Sequence, residues 1–386
     1  MKKIAIAVAA AMTAATASAM DFTLYGIVDT GLGYTHVNTL DEPTENRFEE
    51  INGYNSGSRF GFKGTEDLGN GYSVSFVLEN GFSSDSGALG QGGRMFGREA
   101  QLKFHSPYGT LSFGRAGTLI SGAGTLDIWG VNADVLPGGW DGIFNIGNYQ
   151  GNGMRLDNMV TYQTPTAAGF TGYLQYSFAN DTTDGDDDSR PNERSNNRYF
   201  AGGLTYNNGP LGVVVIYDTL MFRHYSDSQV GDVGGNDANV GDSRVLSVGG
   251  HYDFGSFKLT AFGQYVKGSR SGFGDGLGYS VPFWSDDSQF RTFYYDADGY
   301  NLHIGAQIPM DSWGRLYLGA YYGYLEANDD SLNSEAKNIN LLVGHEYDFS
   351  KRTTLYSGVA YKQLKNENDD GKLGDMKATQ VIVGLR

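Results

Sequence analysis

Residues 338–349 read NINLLVGHEYDF. Ile339, Leu341, Val343, Tyr347 and Phe349 fall on one parity; Asn338, Asn340, Glu346 and Asp348 fall on the other. A period of two is that of a strand with one apolar and one polar face. VSFVLEN (74–80) sets Val74, Phe76 and Leu78 against Ser75 and Glu79, and TQVIVGL (379–385) puts Val381, Val383 and Leu385 on one face.

Working outward, sixteen such segments run from 21–34 and 57–65, through 109–115 and 155–165, to 352–366 and 376–386. Their connections alternate in length. EDLGNG, SPYG, TPTAAG, NNGP, DFGS, PMDSWG and DFSKR are short and rich in turn residues. Between them lie long connections, among them 35–56, 116–154 and 367–375. Strict short–long alternation predicts antiparallel neighbours with every tight turn at one end. That is the layout of an all-β, transmembrane antiparallel β-barrel of 16 strands, with short periplasmic turns and long external loops. Tyr108, Phe254, Phe257, Trp313 and Phe349 stand beside the short turns, where an interfacial girdle belongs. An even strand number lets the last strand pair with the first, and sixteen strands enclose more space than side chains fill, so the interior is expected to hold water.

The bulk composition agrees. The chain has 57 Gly, 8 Pro, 22 Phe, 26 Tyr, 4 Trp and no Cys. Without cysteine there are no disulfides, thiolate chemistry or Cys-ligated metals. No later segment approaches 18 consecutive apolar residues, so helical membrane spans are not expected. The opening MKKIAIAVAAAMTAATASAM has the basic, apolar and small-x-small sections of an export signal, placing the cut before Met20. Residues 1–19 carry two lysines and no acids, so the formal net charge moves from −16 to −18 on their removal. Such an excess argues against nucleic acid. Residues 20–386 show no linker and read as a single domain.

The connection 116–154 departs from the rest. Its core, DIWGVNADVLPGGWDGIFNIGNYQGNG (127–153), holds no Lys or Arg although Arg115 and Arg155 flank it, and its acids Asp127, Asp134 and Asp141 recur every seventh position. Two helical turns would align them; coincidence would produce the same spacing.

GSRFGFKGTEDLGNGYSVSFVLENGF (57–82), FGREAQLKFHSPYGTLSFGRAGT (96–118), RLDNMVTYQTP (155–165) and DFTLYGIVDTGL (21–32) resemble the first six strands of the Gram-negative general porins. The resemblance implies a sixteen-stranded barrel of the cell outer membrane, embedded in its lipid and lipopolysaccharide, usually a homotrimer, passing small hydrophilic solutes and ions by diffusion. It implies no enzymatic activity and no cofactor. It also implies that the third loop, 116–154, folds into the lumen as a constriction, with loop acids facing wall arginines. By position these are Asp134 and Asp141 against Arg59, Arg115 and Arg155. Asp127 belongs to the same loop series, and Lys63 shares the inward parity of Arg59. Three departures stand out. Gly138 replaces the acid expected after Pro137, Ile27 replaces a first-strand basic residue with Asp29 nearby, and the chain stops at VGLR without a terminal aromatic, which favours a truncated sequence.

Alternation tests these assignments. Phe60 and Phe62 take the lipid parity, so Arg59, Gly61 and Lys63 face inward. Leu156, Val160 and Tyr162 point outward, which places Arg155 and Asp157 inward. Arg115 shares the parity of Leu111 and Phe113 and would face lipid unless a bulge redirects it; Arg98 has the same difficulty. The six histidines have no metal-ligand spacing, and DTTDGDDDS (181–189) reads as solvated loop charge or a divalent-cation site. A channel specific for sugars or carboxylates stays open beside the general one. Acidic loops set against wall arginines predict a weak cation preference.

Overall fold

The computed structural model describes residues 21–40, 43–121, 124–136, 140–145, 155–179, 197–221, 242–269, 297–328, 334–368 and 371–386. They hold eighteen strands in one antiparallel sheet. The first are β1 (Asp21–Ile27), β2 (Thr30–Thr39), β3 (Glu45–Asn52), β4 (Arg59–Gly69), β5 (Tyr72–Gly81) and β6 (Glu99–Ser106). Next come β7 (Gly109–Gly117), β8 (Arg155–Gln163), β9 (Phe170–Ser177), β10 (Arg198–Asn208), β11 (Leu211–Met221) and β12 (Ser243–Asp253). The last are β13 (Lys258–Ser269), β14 (Ala297–Pro309), β15 (Arg315–Ala327), β16 (Ser334–Ser350), β17 (Thr353–Asn368) and β18 (Gly371–Leu385).

Each strand from β4 onward pairs with its successor, β18 pairs with β2, and β1 pairs with β4. The difference from the expected sixteen lies at the start of the chain. The first segment is broken after Ile27, and the connection read as 35–56 contains β3, which pairs with β2 and precedes β4. Ile27 still faces Arg59 and Thr30 faces Asn52, so residues 28–29 on one side oppose residues 53–58 on the other. The last connection also shrinks, because β17 and β18 extend to 368 and back to 371.

Alternation sorts the two faces as the periodicity predicts. On β16, Ile339, Leu341 and Val343 are exposed while Asn338, Asn340 and Glu346 are buried. Val381, Val383 and Leu385 of β18 and Leu302 and Ile304 of β14 are exposed in the same way. Exposed apolar side chains repeated on one face of strand after strand form a continuous belt, which water alone would not favour. At the short-turn end, Tyr108, Phe254, Trp313 and Phe349 stand exposed, with Phe254 stacked on Phe257 at 4.8 Å between centroids. The opposite, inner face is polar where it is bare and apolar where residues 118–121, 124–136 and 140–145 lie on it.

Candidate functional site

Residues 124–136 and 140–145 cross the inner face as a short helix, α1 (Ile128–Ala133), and a 3₁₀ turn (Gly142–Phe144). Six residues cannot sustain a helix in water; packing holds this one. Ile128, Trp129, Ala133, Val135, Leu136, Trp140, Ile143 and Phe144 are buried in one cluster with inner-wall Val214, Ile216, Phe262, Tyr317 and Tyr356. Each large side chain so buried contributes about 1.5–3 kcal/mol. α1 lies against β11–β13, and the 3₁₀ turn lies against β16–β18.

The wall is notched to receive this seam. A Cβ on Gly203 would come within 2.9 Å of Leu119, on Gly249 within 2.6 Å of Ala133, on Gly305 within 2.6 Å of Val135, and on Gly358 within 2.6 Å of Phe144. Gly344 gives Trp140 similar room, at 3.1 Å. The glycine-rich composition thus has a local use: missing side chains on the wall make space for side chains of the loop.

Wall side chains satisfy the loop's backbone, which lacks a ladder of its own. Gln175 accepts from Leu119 N (3.0 Å) and donates to Gly117 O (3.1 Å). Glu99, fully buried, accepts from Thr125 N (2.9 Å) and Thr125 Oγ1 (2.6 Å). Further round, His251 Nδ1 meets Asn132 O at 2.9 Å, Gln307 donates to Val135 O (2.8 Å), and Asn340 donates to Ile143 O (3.1 Å).

The three evenly spaced acids all stand at helix ends, and Asp127 caps one with its side chain. Asp127 precedes α1 and its Oδ1 accepts from Gly130 N at 2.7 Å; Asp134 follows α1 and its Oδ1 accepts from Leu136 N at 3.0 Å. Asp141 precedes the 3₁₀ turn. The seven-residue interval between the first two is therefore one helix from cap to cap. Packing around them raises all three carboxyls, Asp134 to about 7, with Asp127 and Asp141 also shifted upward. At Asp141 the side chain of Asn145, then the fields of Arg155 and Arg98, oppose the rise. Asp141 alone of the three is exposed to the inner space.

The basic groups gather around Glu79. Its Oε1 accepts from Arg98 Nε at 2.6 Å and lies 4.0 Å from Arg59 Nη1, and its Oε2 accepts from Tyr25 OH at 2.9 Å. Of the charged groups around it, Arg98 acts most on Arg155, followed by Arg59, Glu79 and Arg115. Arg59 and Arg98 thus share Glu79 on the inner side, and Arg155 lies within the field of the same three groups. Lys63 lies four residues further along β4, exposed, with its Nζ 5.5 Å from the Tyr25 ring centroid.

The resemblance's inward placement of Arg115 needs correction, as do the parity readings of Leu156 with Asp157 and of Arg98. Arg115 does not join this cluster. β7 keeps its alternation, Gly114 and Ala116 lying inward and Phe113 and Arg115 outward, and the bulge falls on β8 instead. There the register jumps from Gly114↔Met159 to Ala116↔Leu156, with Gly114 at φ 124° and Asn158 at φ 50°. The jump reverses parity between Val160 and Leu156, so Leu156 is buried inside and Asp157 lies outside. Asp157 Oδ1 binds Arg115 Nη1 (2.5 Å), its Oδ2 binds Arg94 Nη2 (3.2 Å), and Arg115 Nε donates to Gly97 O (2.7 Å). This group shares a recess with Phe113, Val160 and Phe178. Arg98 errs the other way: it precedes β6 on the outward parity, yet its side chain turns in to Glu79. Glu79 itself was visible in the sequence as a polar-parity residue. Gly138 and residues 181–189 lie outside the described residues.

A sheet with an apolar belt outside, a polar face inside and a loop laid across that face defines a membrane-spanning channel built of strands. The comparisons name the class. The model of the Gram-negative porin family matches residues 5–369, and the chain belongs to that family. An outer membrane porin protein of Bordetella pertussis is 35% identical, covering 100% of this chain and 99% of its own. Among solved structures, an anion-selective porin from Comamonas acidovorans is 25% identical with a TM-score of 0.64, covering 95% of this chain and 99% of that one. The trimer form of OmpT, an outer membrane protein of Vibrio cholerae, shares the fold at 15% identity, with a TM-score of 0.55 over 95% of this chain and 100% of that one. The protein is an outer-membrane porin, a channel for passive diffusion.

Proposed function

We propose that this porin is a general diffusion channel with a weak preference for small hydrophilic anions, and that residues 116–154 form its constriction. The observation that carries the reading is the unequal fate of the charges. Arg59, Arg98 and Arg155 gather near the carboxylate of Glu79, whereas Asp127 and Asp134 turn their carboxyls onto loop N–H groups, burial raises Asp134 to about 7, and only Asp141 is exposed. Guanidinium groups hold their charge at any working pH. Counting residues alone favoured cations; the upward shift of the two buried carboxyls, which favours their neutral form, reverses the balance beside the wall arginines, where screening by salt is least effective.

The transverse field between Asp141 and the arginines orients polar solutes and disfavours apolar ones, which have no dipole to align. The trimeric relative supports a homotrimer for this chain, with residues 20–386 as one barrel in lipid and lipopolysaccharide after loss of residues 1–19. Reversal potentials of the reconstituted protein in a KCl gradient test the reading. The expected sign is that of modest chloride preference; a strong cation preference would overturn it. Saturable block of the current by one sugar or carboxylate would instead favour a substrate-specific channel.

A further inference from the structure

Asp29 sits at the break between β1 and β2, fully buried, with both carboxylate oxygens engaged. Oδ1 accepts from the Tyr356 hydroxyl at 2.7 Å, and Oδ2 accepts from the backbone N–H of Asn55 (3.1 Å) and Ser56 (2.6 Å). Its own carbonyl accepts from Gly53 N at 3.0 Å, Ser58 Oγ at 3.1 Å and Ser84 Oγ at 2.8 Å. These bonds replace a ladder that residues 53–58 have left. Backbone groups that quit a sheet need partners, and one carboxylate supplies two N–H groups with an acceptor.

The displaced segment touches both poles of the candidate constriction. Arg59 donates from Nε to Gly57 O at 2.7 Å and from Nη2 to Ser56 Oγ at 3.0 Å. Arg98 is adjacent, since a Cβ on Gly57 would lie 3.0 Å from its Nη1. On the other side, Asp141 N donates to Tyr54 O at 2.7 Å. Thus a six-residue inward bulge joins the arginine wall to the one loop acid that stays open.

We propose that Asp29 is a positioning residue for ion selection: through the inward segment 53–58 it fixes the direction of Arg59 and the placement of Asp141 together. The proposal rests on the porin reading above and adds a second pore-shaping element to the third loop. The role is geometric, so it separates from the charge of Asp29. Asparagine keeps an oxygen for the two N–H groups and an amide N–H for the Tyr356 oxygen; alanine keeps neither.

The test uses the full chain in planar bilayers, comparing reversal potential and current noise for wild type, Asp29→Asn, Asp29→Ala and Ser56→Ala. Asp29→Asn is expected to stay near wild type. Asp29→Ala is expected to bring the anion-to-cation permeability ratio toward unity by about twofold or more relative to Asp29→Asn, with a noisier open state. Ser56→Ala, which frees Arg59 Nη2 and leaves the Asp29 contacts intact, shifts the ratio in the same direction. Equal shifts in the Asn and Ala variants, or none in either, would overturn the proposal. If Asp29→Ala does not assemble, an unchanged ratio in Ser56→Ala overturns it alone. A wild type that conducts no ions would refute the porin reading, which is a separate outcome.

Discussion

Val135 of the third loop fills the notch left by Gly305 of β14, where a Cβ would stand 2.6 Å from the Cβ of Val135. Gln307, on the same face, holds the carbonyl of Val135 at 2.8 Å. Gly305→Val forces the loop off the wall and into the aqueous path. Overpacking of this kind costs about 1–3 kcal/mol. Single-channel conductance is expected to fall and the unfolding temperature to drop. Gly202→Ala, whose nearest neighbour is 3.8 Å away, serves as the control and changes neither. Unaltered conductance in Gly305→Val would refute the notch account.

Trp140 anchors the other end of the seam. It is fully buried, with ring centroids 5.6 Å from Phe144, 6.2 Å from Tyr317 and 5.6 Å from Tyr356. Trp140→Ala removes about 3–5 kcal/mol of packing. The loop loosens at its tip, so the open channel becomes noisier and larger. Current recordings beside a thermal melt check both parts; a quiet channel of wild-type size would place the anchor elsewhere.

Arg155 and Arg115 flank the loop in sequence but keep different company: the charges that act most on Arg155 are Arg98, Arg59 and Glu79, whereas Arg115 is paired with Asp157. Arg155→Gln is expected to shift the permeability ratio toward cations by a few fold, because the wall loses one of its clustered charges. Arg115→Gln leaves the ratio where it was. It lowers stability instead, since partly buried Asp157 loses its 2.5 Å partner, a deletion costing on the order of 1–3 kcal/mol. A selectivity change in Arg115→Gln would show that its side chain reaches the pore.

Asp134 should make the channel respond to pH. Burial raises its carboxyl to about 7, so the group is neutral below that value and charged above it. Anion preference therefore rises as pH falls through 7, and Asp134→Asn holds the low-pH value throughout. The stability sign is equally defined. The folded state keeps a proton that the unfolded chain releases near 3.8, so this group's contribution declines as pH rises from there to about 7. A flat selectivity profile between these limits would place the carboxyl in free contact with water.

Much of this was legible in the residues. Ile339, Leu341 and Val343 announce an outer face by period alone, and the short turns after Asp67, Asn208 and Asp253 announce antiparallel neighbours. Arg59 follows from the same parity. The method failed where the ladder itself changes. At Asn158 one extra residue shifts the register of β8, so Asp157 and Leu156 exchange faces. At Asp29 a buried carboxylate lets the facing strand leave the sheet, so β3 hid inside an apparent loop. Arg98 escapes parity because alternation says nothing of where a long side chain at a strand end turns.

The sequence by itself determined the fold class, since alternation and turn spacing are local and each strand carries its own instruction. It also showed that positive charge is excluded from the third loop. Only the tertiary structure decided which charges remain available. Capping by Asp127 depends on a helix that exists through packing against β11–β13, and the arginine cluster depends on Glu79, Tyr25 and residues 53–58 meeting from separate parts of the chain. Contacts between residues distant in sequence have no period to announce them.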